Sequence, residues 1–151
     1  MGEVDDFVGS VLPRLTAVDT EFHNGNAGPR STIWSHNDPV TLFGALFTQN
    51  GWTEIGPAFD WLASRFSDCR GFRYDVIAAG ASGDIGYLVG MEQTTVAIGG
   101  GPPTPEPYVL RVTTIFRREN GEWKVVHRHA DPMPDSRAAE EQLARMTEDG
   151  A

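Results

Sequence analysis

The feature that most constrains this chain is a pair of apolar runs joined by a turn dipeptide, within residues 108–131. Both runs are rich in β-branched and aromatic residues, and Asn120-Gly121 separates them. Asn-Gly readily adopts the positive φ angles of a tight hairpin turn, so the pattern predicts two antiparallel strands. Side chains alternate between the two faces of a strand. In the first strand, one face is predicted to carry Leu110, Val112, Thr114 and Phe116. In the second strand, one face is predicted to carry Trp123, Val125, His127 and His129.

The rest of the chain predicts helices first and strands later. Apolar residues at helical spacing predict helices from Glu3 to about Phe22, kinked or split at Pro13, and from Trp52 to about Phe66. The remaining segments are a loop over 26–30, a helical turn over 31–34, a strand or strand pair over 40–47 bent at Gly44, a turn over 49–51, strands over 72–79 and 85–98, and a loop over 99–107.

This order predicts an α+β fold with a mostly antiparallel sheet. Long strands twist, so we expect a strongly curved, cone-shaped sheet with the helices covering one face. The chain of 151 residues suits one domain, residues 1–132. A polar C-terminal tail follows over residues 133–151, with a short helix over 136–146 as one interpretation.

Composition disfavours several partners. The net charge is 12 − 21 = −9, which disfavours nucleic acid and anionic membrane surfaces. No apolar run reaches the length of a membrane span. Cys69 is the single cysteine, and the acidic N-terminus lacks the features of a secretion signal. A reducing, cytoplasmic location is therefore the expectation.

Three segments carry a resemblance to a known family. Residues 51–55 (Gly-Trp-Thr-Glu-Ile), 83–87 (Gly-Asp-Ile-Gly-Tyr) and the closing hairpin resemble the SnoaL-like branch of the nuclear transport factor two-like superfamily, which includes ketosteroid isomerases. The resemblance implies an α+β barrel, a ligand entering the open mouth of the cone, and a homodimer formed through the outer sheet face. It does not choose among isomerases, cyclases, hydrolases and non-enzymatic binders.

Asp38 is the first candidate catalytic residue. Asp38-Pro39-Val40 is similar to the segment that carries the catalytic base of ketosteroid isomerases. The resemblance implies a general base, whereas turn chemistry alone predicts a residue that caps its own backbone.

His127 and His129 are further candidates for acid–base chemistry. Strand geometry predicts rings about 6–7 Å apart on one face. That spacing suits two hydrogen-bonding groups in a pocket or two metal ligands, with a third ligand from His36, Asp38, Glu92 or Asp131.

Other polar and aromatic residues are candidates for ligand binding. Glu92 and Arg111 lie mid-strand, where a charge is costly unless it is paired or faces water. They could form a buried pair that anchors a ligand, or an exposed cross-strand pair. Trp34, Trp52 and Tyr87 belong either to the core or to the lining of an apolar pocket.

Three hypotheses remain open at this stage. The first is a binder of small apolar or aromatic molecules, extending to a cofactor-free isomerase, cyclase or hydrolase that acts on an apolar carbonyl or polyketide-like compound. The second is a non-catalytic binding or oligomerisation module. The third is a metal-dependent enzyme built on the His-x-His pair.

Overall fold

The computed structural model describes residues 2–44, 47–133, 141 and 143–146. Its elements in chain order are α1 (Glu3–Phe22), α2 (Gly28–Ile33), β1 (Thr41–Phe43), β2 (Thr48–Asn50), α3 (Trp52–Ala63), β3 (Phe66–Ser82), β4 (Ile85–Ile98), β5 (Glu106–Glu119) and β6 (Glu122–Pro132). Residues 141 and 143–146 are helical, and the rest of the helix predicted over 136–146 lies outside the described residues.

The six strands form one open, curved sheet in the order β2-β1-β6-β5-β4-β3. Every pairing is antiparallel except that of β1 with β6, which is parallel. The predicted α+β fold with a mostly antiparallel sheet is therefore confirmed. Between β1 and β6 the chain passes through β2, α3 and β3–β5, which supplies the long connection that a parallel pair needs.

The β5–β6 hairpin turns where the sequence predicts. Asn120 and Gly121 both have positive φ, at 51° and 80°. Helix α3 also begins where predicted, but it ends at Ala63 and β3 starts earlier than expected, at Phe66.

Several predicted boundaries are wrong. Helix α1 is one element through Pro13, so the alternative of two shorter helices is wrong. Residues 28–30 belong to α2 rather than to a loop, and Pro29 lies in its first turn, where a missing N–H costs nothing. Residues 49–50 lie in β2 rather than in a turn.

The helices cover one face of the sheet, here called the inner face, and leave the opposite outer face uncovered by them. The ring of Phe7 on α1 packs at 5.3 Å against Phe116 and at 4.8 Å against Trp123, between ring centroids. Inward-pointing residues of β4 and β5 alternate with outward-pointing ones, as expected for a half-covered sheet. The core therefore lies between α1–α3 and the inner face.

A β-bulge in β6 changes which residues share a face. Phe116 pairs with Val125 and Ile115 pairs with His127, so Val126 is an extra residue. A one-residue insertion reverses the alternation beyond it. Trp123 and Val125 are buried inward, whereas beyond the bulge Ala130 is buried and His129 is exposed. The prediction that His127 and His129 share the face of Trp123 is therefore wrong.

Candidate functional site

An apolar cavity of about 510 Å³ opens between the inner face and the helices. A volume of this size holds a drug-sized molecule. Its lining combines aromatic and aliphatic side chains with a few polar ones: Phe22, His23, Arg30, Leu42, Gly44, Phe47, Phe59, Trp61, Leu62, Arg65, Phe66, Ile98, Gly99, Tyr108, Leu110, Arg128, Ala130 and Pro132.

The first polar contact of the cavity is an ion pair between strands β4 and β6. Arg128 donates through Nη1 and Nη2 to the two carboxylate oxygens of Glu92, at 2.5 and 2.9 Å. The exposed fraction is 11% for the Arg128 side chain and 2% for that of Glu92. Burial disfavours the Arg128 charge, but the attraction of Glu92 outweighs it and raises the pKa of the guanidinium.

A second buried ion pair joins helices α1 and α2. Arg30 donates through Nε and Nη2 to one carboxylate oxygen of Asp19, at 2.9 and 2.6 Å. The guanidinium also lies over the ring of Phe22, 3.5 Å from its centroid. A delocalised guanidinium stacks well on an aromatic face, so this contact holds Arg30 beside the cavity.

A tyrosine–histidine contact completes the buried polar part of the lining. His23 Nδ1 lies 2.7 Å from the backbone carbonyl oxygen of Asp19, which can only accept, so Nδ1 carries the proton. Nε2 then accepts from the Tyr108 hydroxyl at 2.8 Å. Burial, and next the positive charge of Arg30, lower the pKa of His23. Burial, and next the Glu92 carboxylate, raise the pKa of Tyr108 to about 12. Both side chains are therefore neutral at neutral pH.

Arg65 lies at the mouth of the cavity rather than in its buried part. Its side chain is exposed, and Nη2 donates to the carbonyl oxygen of Gly99 at 2.7 Å. Trp61 stands beside it, 5.9 Å from ring centroid to guanidinium carbon, with half of its surface exposed. The entrance thus combines an exposed indole with a positive charge.

The residues predicted as catalytic lie away from this lining. Asp38 accepts the backbone N–H of Trp52 at 3.0 Å and so caps the start of α3. His127 and His129 lie on the outer face, with ring centroids 6.5 Å apart, and Phe43 contacts both. His127 Nδ1 lies 2.7 Å from the Thr41 hydroxyl. Burial, and next His129, lower the pKa of His127.

None of the described residues supplies a third metal ligand beside the histidine pair. In the described part of the chain, no group of three or more His, Cys, Asp or Glu side chains is placed to hold a metal ion. Of the residues predicted to supply a third ligand, Glu92 faces the inner side of the sheet and Asp131 is bound by Arg111.

Glu92 was predicted to bind a ligand. It does not line the cavity itself but forms an ion pair with Arg128, which does. The predicted pairing of Glu92 with Arg111 is absent, because Arg111 opposes Met91 in the register and so points outward. Arg111 instead donates to both oxygens of half-buried Asp131, at 2.9 Å each.

The three aromatic residues predicted to line the pocket lie elsewhere. Trp34 is buried in the core against Phe59. Trp52 stacks on His36, 3.9 Å between ring centroids, and Tyr87 is exposed on the outer face.

Sequence reasoning missed Asp19, His23, Arg30, Tyr108 and Arg128. One signal was present: Asp19 continues the apolar stripe of α1, four residues after buried Leu15 and three before buried Phe22. An acid on such a stripe predicts a buried partner. The position of Arg128 could not be read, because the bulge that turns it inward leaves no trace in the alternation.

The fold and the site define a nuclear transport factor two-like protein, and comparisons with known proteins support this. The sequence profile of the SnoaL-like domain matches residues 14–135, and the chain belongs to that family. No match was found among proteins with curated descriptions.

Solved structures show the same fold at low identity. A nuclear transport factor two-like protein from Salmonella enterica is 12% identical, with a TM-score of 0.71 and coverage of 87% of this chain and 92% of its own. A cystatin-like fold from Caulobacter vibrioides is 17% identical, with a TM-score of 0.66 and coverage of 96% and 100%. A nuclear transport factor two-like protein from Pseudomonas putida is 13% identical, with a TM-score of 0.65 and coverage of 89% of each chain.

Among the described residues, no helix has the length and apolar character needed to cross a membrane.

Proposed function

We propose that this chain binds a small, mainly apolar molecule in the cavity between the inner sheet face and the helices. The observation that carries the proposal is the junction of an apolar space of about 510 Å³ with a few buried polar groups at one side. Binding sites for small molecules have this composition, with apolar walls and few polar groups that fix orientation.

A titration with a neutral apolar fluorophore such as phenylnaphthylamine tests this proposal. Leu110 lines the cavity, and Leu110→Trp places an indole in it. Val109→Trp adds the same side chain at the neighbouring position, on the outer face. We expect saturable fluorescence enhancement in the wild type and in Val109→Trp, and its loss in Leu110→Trp. Equal binding by both variants would place the fluorophore elsewhere and contradict the proposal.

Cofactor-free acid–base chemistry on an apolar carbonyl compound is a second candidate function, and the contact of Tyr108 with His23 favours it. Two neutral groups that share one proton at a cavity wall could relay a proton from a bound molecule. If turnover of a substrate is found, Tyr108→Phe is expected to lower it at least tenfold with little change in binding. Unchanged turnover would remove this pair from the chemistry.

The catalytic roles predicted for Asp38, His127 and His129 stay predictions. The same assay tests the role of Asp38 with Asp38→Asn, which keeps an oxygen to accept the Trp52 N–H.

We also propose that the chain forms a homodimer through the outer sheet face. The uncovered face of β1 and β4 exposes Phe43 and Tyr87, with 40% and 44% of their surfaces exposed. Light scattering coupled to gel filtration is expected to give twice the chain mass, and Tyr87→Glu is expected to give a folded monomer. A wild-type monomer at the highest soluble concentration would contradict this.

A further inference from the structure

The charges around the cavity are balanced before any ligand enters. Arg128 is neutralised by Glu92, and Arg30 is neutralised by Asp19, each across an ion pair buried from water. His23 adds no charge, because its Nε2 accepts a hydrogen bond as the neutral ring does. The buried end of the cavity therefore combines two guanidinium groups with a net charge of zero.

Some donors of these guanidinium groups remain free. Arg128 uses Nη1 and Nη2 for Glu92 and donates nothing from Nε to the described residues. Arg30 uses Nε and Nη2 for Asp19 and donates nothing from Nη1 to the described residues. Both side chains line the cavity, so a bound molecule can accept hydrogen bonds there.

Tyr108 does not supply such a donor in this arrangement. Its hydroxyl proton is directed to His23 Nε2. Its oxygen can only accept from a ligand while that bond persists. The donors offered to a ligand at the buried end therefore come from the two arginines.

Charge balance decides which acceptor they prefer. A carboxylate entering this end would add a negative charge that no buried positive charge remains to offset, and an uncompensated buried charge is costly. A neutral oxygen would accept the same donors and leave the net charge at zero. We infer that the buried end of the cavity selects an uncharged hydrogen-bond-accepting group, such as a ketone, ester or amide oxygen, over a carboxylate. This selectivity rests on the proposed function, because it requires a ligand in the cavity.

Arg65 differs from Arg30 and Arg128, because it is the charged residue of the lining for which no ion pair is found in the described chain. It is exposed at the mouth, where water stabilises an added anion as well. A carboxylate could therefore be held at the entrance without entering the buried end. The test has to distinguish these two places.

Calorimetric titration with acetylnaphthalene and the naphthoate of the same ring substitution tests the inference, because the two probes share the ring and differ in charge. We expect the ketone to bind the wild type about tenfold or more tightly than the carboxylate. The R65Q variant is expected to keep this preference. Naphthoate binding that is tight in the wild type and lost in R65Q would place the carboxylate at the mouth and would also support the inference.

Glu92→Gln gives the converse test. It keeps the shape of the side chain and removes the charge that balances Arg128. Naphthoate affinity is expected to rise about tenfold in this variant while ketone affinity changes little. If the Glu92→Gln variant does not fold, the affinities of the two probes for the wild type and R65Q still test the charge selectivity.

Two results would contradict the inference in different ways. Naphthoate binding as tightly as acetylnaphthalene in both the wild type and R65Q would overturn the charge selectivity and leave the ligand site intact. Binding of neither probe, together with equal fluorophore binding by Leu110→Trp and Val109→Trp, would overturn the proposed function and the inference with it.

Discussion

Glu92 and Arg128 face each other across the inner side of the sheet, with both carboxylate oxygens bound by both terminal nitrogens of the guanidinium, at 2.5 and 2.9 Å. The strand β5 lies between the strands that carry them. The pair therefore spans three strands beneath the cavity. Because of this position, the same ion pair sets the charge beside the cavity and contributes to the packing of the sheet.

Removing one member of this pair should destabilise the fold. Arg128→Met would leave the Glu92 carboxylate buried without its partner, and such changes cost about 3 to 5 kcal/mol. We expect a double variant, Glu92→Leu with Arg128→Met, to recover most of the loss because no charge then remains buried. Urea unfolding monitored by circular dichroism gives the free energies of unfolding.

The outer pair of Arg111 with Asp131 provides the matched control. Both side chains are about half exposed, and water solvates either charge alone. Arg111→Met is therefore expected to leave the free energy of unfolding close to that of the wild type. A loss as large as that of Arg128→Met would mean that burial is not what makes the inner pair important.

Stability should fall in mild acid because of His23. Burial lowers the pKa of His23 below the ordinary value of 6.5, so the unfolded chain binds a proton at a higher pH than the folded protein. The stability that neutral His23 provides is present above the unfolded pKa and is lost as the pH falls below it. His23→Gln keeps a donor and an acceptor but cannot titrate. Urea midpoints should therefore drop less in this variant between about pH 7 and pH 5.

Two glycines of the sheet should differ sharply in their tolerance of a methyl group. A Cβ on Gly90 would clash with the carbonyl oxygen of Asp75 and would lie 2.7 Å from the ring of Tyr74. Gly71 has open space at the same position. We expect Gly90→Ala to lower the free energy of unfolding by about 3 kcal/mol, and Gly71→Ala to change it little. Similar values for both would show that β3 and β4 lie further apart.

Asp38 should act on helix stability rather than on ligand affinity. Its carboxylate accepts the N–H of Trp52, and loss of such a cap costs about 1 kcal/mol. Asp38→Ala is expected to show this loss in urea unfolding, with fluorophore affinity unchanged. A fall in affinity without loss of stability would instead indicate contact of Asp38 with the ligand.

The sequence predicts much of the fold because local chemistry determines those parts. Asn120-Gly121 specifies its turn whatever the rest of the chain does, and the apolar stripe of α3 specifies the face that it buries. The predicted ends were less accurate for elements whose ends depend on partners distant in the chain. β2 is only three residues long and pairs with β1, so nothing in its own sequence marks it.

The site was harder to predict, and Val126 shows why. Strand alternation is a reliable guide only while each residue has one partner, and Val126 has none in the register. Counting across it placed His127 and His129 on the face of Trp123, whereas in the structure they lie on the opposite face. His23 and Tyr108 meet although 85 residues separate them, which no local pattern could reveal.

The proposed ligand lies between the inner face and the helices. The most direct test is to titrate ¹⁵N-labelled protein with acetylnaphthalene and follow the assigned backbone amide signals. We expect shifts at cavity residues such as Leu110 and Ala130, with the signals of Tyr87 and His129 on the outer face unchanged. Shifts confined to the outer face, with the signals of Leu110 and Ala130 unmoved at saturation, would contradict it.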